Sequence, residues 1–92
     1  MSATIGPVTV PITNKRGLHA RASAKFVTLA STQPCEVQVE KDSSSVTGTS
    51  IMGLMMLGAA KGDSITISAD GDGAEAAVEA LVALVEGKFG ED

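Results

Sequence analysis

Tryptophan and tyrosine are absent from this chain of 92 residues, and phenylalanine occurs only twice. A core must therefore come from Val, Ile, Leu, Ala and Met, and little aromatic surface remains for stacking on bases or sugars. Basic charge is also scarce: seven Lys and Arg stand against eleven Asp and Glu, a formal net charge of −4. That balance excludes the basic footprint of a general nucleic-acid binder and argues against docking on an anionic membrane surface. The one cysteine, Cys35, cannot form an internal disulfide, which fits a reducing compartment. No stretch approaches the roughly 20 apolar residues of a membrane span. The opening MSATIGPVTV lacks the basic start and apolar run of a signal peptide. The expectation is a cytoplasmic chain, free of membrane insertion, whose residues 1–92 form one small domain with a modest core.

What is present alternates between two periods. Val8 to Thr13 places Val8, Val10 and Ile12 on one face of a strand, with Pro11 easiest to accommodate at an edge or a bulge. Asn14 to Gly17 has turn chemistry. Ala20 to Thr32 is an amphipathic helix with Ala22, Phe26, Leu29 and Ala30 on its apolar face, ended by Gln33-Pro34. Cys35 to Glu40 and Ser43 to Thr47 form a hairpin through Lys41-Asp42. Gly48 to Gly58 holds a short helix that Ser50 can cap, with Gly53 in its middle. Six large apolar side chains crowd this segment, too many for one short helix to bury, so some methionines should face solvent. Ser64 to Ala69 is a strand with Ile65 and Ile67 inward. Ala74 to Glu86 is the strongest helix, capped by Asp72 and closed by Gly87, and the tail KFGED is expected to fray. Each strand has one apolar face, which predicts an antiparallel sheet with helices on one side and water on the other.

The only histidine, His19, stands at the start of the first helix, after Gly17 and two residues before Arg21. A lone histidine in a small domain is more often a plain surface residue, but three features point to chemistry. A helix start presents free N–H groups and the positive end of the dipole, so a phosphate there gains donors from the Ala20 and Arg21 backbone. The Arg21 guanidinium can screen phosphate charge, although alone it reads as a solvated helix-face arginine. No Ser-His-Asp order, second histidine, metal-ligand cluster or GxxxxGK[ST] loop is present, so no cofactor or metal is implied. One nucleophilic histidine without other machinery suits an acceptor that larger enzymes load and unload.

NKRGLHAR before a helix, followed by SIMGLMML, closely resembles HPr, the histidine-containing phosphocarrier of the phosphoenolpyruvate-dependent phosphotransferase system. The resemblance runs from Val8 to the last helix. It implies an α+β open-faced β-sandwich in the order βαββαβα, with a four-stranded antiparallel sheet and three helices on one face. It implies that His19 receives a phosphoryl group from enzyme I and passes it to an IIA domain, the chain acting as a monomer and as a carrier, not an enzyme. By the same resemblance Ser50 looks like the serine modified by HPr kinase/phosphorylase, and Ile51, Met52 and Met55 fall on a partner-docking patch beside Ala20 and Arg21. A phosphate on Ser50 would set a doubly charged group on that apolar surface and weaken docking. Without the resemblance Ser50 is a plain N-cap, and core packing is the expectation for Leu54 and Leu57. Ala22 and Ser23 stand where the family usually has proline and alanine, and Ala22 rigidifies the helix start less than proline would. SIMGLMML does not choose between a sugar-uptake and a nitrogen-related branch. A second reading from another class is a regulatory binding module governed by Ser50. A third, a hydrolase with His19 as base, lacks a second catalytic group.

Overall fold

The computed structural model describes residues 5–91; the first four residues and Asp92, the last of the KFGED tail, lie outside the described residues. Four strands, β1 (Ile5–Pro11), β2 (Glu36–Lys41), β3 (Ser44–Thr47) and β4 (Ser64–Asp70), form one sheet in the order β1-β4-β2-β3, every pair antiparallel. The helices α1 (Ala20–Ser31), α2 (Ile51–Met56) and α3 (Ala74–Glu86) complete the βαββαβα order. This is the open-faced β-sandwich expected from the sequence pattern and the resemblance.

Register follows from the apolar alternation. Ile67 of β4 faces Val8 on one side and Val39 on the other, and Ile65 faces Val10. Val10, Val37, Val39, Ile65, Ile67 and Ala69 are all buried under the helices. The opposite face is polar, where the hydroxyls of Thr9 and Thr66 meet at 2.9 Å. Pro11 is on β1, an edge strand, where its missing N–H breaks no ladder. Val8 does not pack as expected: it borders a register shift between Ile5 and Val8 on that edge strand and stays 36% exposed.

Helix α1 buries Ala22, Phe26 and Ala30, four residues apart on one stripe, while Leu29 is only half-buried. Helix α3 buries Ala74, Ala77, Val78, Leu81 and Val85. Its expected cap, Asp72, does not cap it. The N-cap is Gly73, in the left-handed conformation with φ 79° and no side-chain cap bond. A Cβ at Gly73 would stand 2.8 Å from Pro34 Cγ, so the chain turns here where only glycine fits. Gly87 follows α3 but with φ −83°, so it is not the left-handed closure expected.

The left-handed residues come next, and residues 88–91 are held in place where fraying of the tail was expected. Lys88, Phe89 and Gly90 have φ of 58°, 55° and 77° and make one short 3-10 turn. Left-handed backbone costs a non-glycine residue about 1–2 kcal/mol. Burial of Phe89, 1% exposed, contributes about 1.5–3 kcal/mol in return. The Phe89 carbonyl also accepts a 2.7 Å bond from the Lys25 ammonium of α1, and Glu91 N–H donates to the Lys88 carbonyl at 2.8 Å. With so few aromatics, the core recruits the second phenylalanine from the end of the chain.

Phe89→Ala is expected to lower unfolding stability by about 3 kcal/mol or more, read from the midpoint of urea denaturation monitored by circular dichroism.

Candidate functional site

The segment before α1 is fixed by backbone contacts to the segment after α2. Leu18 N–H donates to the Ala59 carbonyl at 2.9 Å. Gly17 has φ 61°, and a Cβ there would lie 2.2 Å from that same carbonyl oxygen. Both conditions demand glycine, because any side chain would drive the two segments apart. His19 then adopts extended backbone as the N-cap of α1, and its carbonyl accepts the first intrahelical bond, from Ser23 N–H at 2.9 Å. The amides of Ala20, Arg21 and Ala22 in the first turn have no intrahelical acceptor, as at any helix start. Ser23, standing where the resemblance expects alanine, is fully buried and donates its hydroxyl to the Leu18 carbonyl at 3.1 Å. That bond ties the helix start to the loop in a chain that lacks the family's proline.

The His19 ring is not sealed in the core: its side chain keeps 20% of its exposure. Its Nε2 lies 2.6 Å from Oε2 of Glu91, a residue 72 positions away. The other carboxylate oxygen accepts from Asn14 Nδ2 at 3.2 Å, and Asn14 Nδ2 also donates to the Gly17 carbonyl at 2.8 Å. Two acceptors facing one end of the Asn14 amide fix it as the NH2 end. An ionised carboxylate accepts only, so the hydrogen on the short bond belongs to Nε2, and in the neutral ring Nδ1 carries the lone pair. The hydrogen bond from His19 holds the Glu91 carboxyl below its ordinary value of 4.5; partial burial opposes this, and the Asn14 bond and the charges of His19 and Lys25 assist it.

Arg21 is exposed on α1 and lines a shallow surface depression with Ala24, Lys25, Thr28, Leu29, Thr32 and Leu84. Ser50 caps α2, its Oγ accepting from Gly53 N–H at 2.9 Å. Gly53 has a packing reason, since a Cβ there would lie 3.0 Å from Val46 Cβ of β3. Leu54 and Leu57 are buried, as the sequence indicated. Ile51 and Met55 are exposed, Met52 is 69% exposed and Met56 80%. Met56, the most exposed, was not among the expected docking residues.

Helices α1 and α2 pack together on one side of the sheet. This side presents an imidazole at a helix start and an apolar cluster on the neighbouring helix. Among the described residues no group of His, Cys, Asp and Glu could hold a metal, and no helix is long and apolar enough to cross a membrane. Fold and site together define a small phosphocarrier-type scaffold. Residues 8–87 match the PTS-HPr family, described as "PTS HPr component phosphorylation site", and the chain belongs to that family of phosphotransferase-system phosphocarriers. It is 54% identical over 82 residues to the phosphocarrier protein HPr of Neisseria meningitidis, covering 89% of this chain and 92% of that one. It is 42% identical over 82 residues to the phosphocarrier protein NPr of Shewanella violacea, covering 89% and 90%. The solved HPr of Thermoanaerobacter tengcongensis superposes with a TM-score of 0.91 at 49% identity, covering 96% of this chain and 99% of that one.

Sequence reasoning missed Glu91 and Asn14 as neighbours of the ring. Asn14 was read as part of a turn, and Glu91 lay in a tail expected to be loose.

A carboxyl held below its ordinary value contributes stability that is fully present above pH 4.5 and is lost as pH falls through the lowered value. The expected outcome of an NMR titration that follows the Glu91 side-chain carboxyl carbon is a midpoint below pH 4.5. Titration at or above that pH would mean that the carboxylate is not engaged.

Proposed function

We propose that His19 is the phosphoryl acceptor of this phosphocarrier, taking the group from enzyme I and delivering it to an IIA domain. The observation that carries the reading is the ring itself: partly exposed, at the N-cap of α1, with Nε2 engaged by Glu91 and Nδ1 carrying the lone pair. Nδ1 is therefore the nucleophile. Phosphate oxygens on it would meet the free amides of the first turn of α1, Ala20 and Arg21 among them. Arg21, free of any ion pair among the described residues, would screen their charge. The exposed Ile51, Met52 and Met55, with Ala20, would form the docking patch, and Met56 extends it. Methionine suits a surface that meets more than one partner. We place this relay in the cytoplasm, within one domain. The experiment mixes the protein with enzyme I and phosphoenolpyruvate. An acid-labile mass increase on His19, lost in His19→Ala, supports the reading; unchanged loading of His19→Ala would overturn it.

Ser50 is proposed as a regulatory phosphorylation site for HPr kinase/phosphorylase. Its hydroxyl is half-buried at the cap and is followed directly by Ile51 and Met52. A phosphate there adds about −2 charge to an apolar docking surface. The binding-module reading draws on the same patch and can operate beside the carrier role. Ser50→Asp keeps an acceptor at the N-cap, so stability should stay within about 1 kcal/mol. Loading from enzyme I should nevertheless slow by about tenfold, a barrier increase of about 1.4 kcal/mol, measured by rapid-quench phosphorylation.

A further inference from the structure

We propose that Glu91, oriented by Asn14, is a positioning residue that keeps the hydrogen on His19 Nε2 throughout phosphoryl transfer at Nδ1. The inference rests on the carrier reading of His19 and concerns how the ring is kept ready at each stage.

The carboxylate is clamped from three parts of the chain. Asn14, fully buried, donates to one oxygen; the other meets His19 Nε2 at 2.6 Å; and Lys25 holds the preceding turn through the Phe89 carbonyl at 2.7 Å. A carboxylate serving only to balance surface charge would not need a buried amide to aim it. The backbone that delivers it is left-handed at Lys88 and Phe89, and that conformation is sustained by Phe89 burial.

The chemistry gives the clamp a purpose. The Nδ1 lone pair forms the bond to phosphorus. The bond from phosphorus to the phosphorylated donor breaks, and its electron pair stays on the donor. The ring keeps its Nε2 hydrogen and carries one positive charge while the phosphoryl group is attached. The Glu91 carboxylate offsets that charge. In the onward step the nitrogen–phosphorus bond breaks, its pair returns to Nδ1, and a neutral imidazole departs. Had the ring lost its Nε2 proton, the departing group would be an imidazolide anion, a much poorer leaving group. The cations closest to His19 along the chain, Arg21 and Lys25 on α1 and Lys15 and Arg16 in the preceding loop, would disfavour the positive charge. Glu91 is the carboxylate paired with it.

The test loads wild type and Glu91→Gln at His19 with inorganic phosphoramidate, and in parallel with enzyme I and phosphoenolpyruvate. Loss of the phosphoryl group is then followed by phosphorus NMR across pH. Gln keeps the shape and an acceptor oxygen but not the charge. The pH at which loss slows on adding alkali is expected to move down by about one unit in Glu91→Gln, the scale of one nearby opposite charge. A merely structural tether would leave that profile in place. Nitrogen NMR of unloaded wild type and Glu91→Ala gives a second measurement, with the hydrogen on Nε2 in wild type and shared between the nitrogens in the variant. Superimposable pH profiles, or identical ring spectra, would overturn the proposal while leaving the carrier reading intact. Failure of wild type to load on His19 from either donor would overturn both.

Discussion

The short contact between His19 Nε2 and the Glu91 carboxylate joins the start of α1 to the last described residue, 72 positions on, and most of the fold takes part in making it. The imidazole is placed by α1, whose start is held by the Leu18–Ala59 hydrogen bond. The carboxylate is placed by Phe89, which the helical layer buries, and by the Lys25 bond to its carbonyl. Both anchors depend on a sheet whose single apolar face needs helices to cover it. The site is thus a product of core formation in a small chain rather than of a local loop.

The strands and helices were legible because their residues follow simple periods. Ile65 and Ile67 alternate with polar neighbours, and Ala22, Phe26 and Ala30 repeat every four. The helix starts at His19 and Ser50 were legible because local signals mark a boundary at each. The carboxylate partner was not, for two reasons. The contact spans 72 positions, and no short pattern encodes that. Its turn also places lysine and phenylalanine at positive φ, a conformation their side chains disfavour, so sequence preference argued for a loose tail. The capping of α3 failed similarly: Asp72 is a better cap by preference, but the close approach of Pro34 gives the position to Gly73.

The departure from the family's proline shows how a local rule can be replaced by a different contact. Ala22 is buried and helical, and the adjacent Ser23 hydroxyl reaches back to the Leu18 carbonyl. The helix start is fastened by a side-chain hydrogen bond in place of a ring-locked dihedral. Next to it, α2 divides its apolar residues cleanly, Leu54 and Leu57 inward and the methionines outward. A six-residue helix has one buried face to offer, and its other side chains stay exposed.

The uncovered face of the sheet has a practical consequence. Ser45 and Thr47 of β3 alternate with the inward Val46 and are exposed, on the side of the sheet away from all three helices. A dye, a resin linker or a single-molecule handle introduced at Ser45 would sit behind the working side of the molecule. Handoff between proteins could then be watched on an immobilised carrier whose imidazole and methionines still face the bulk solution.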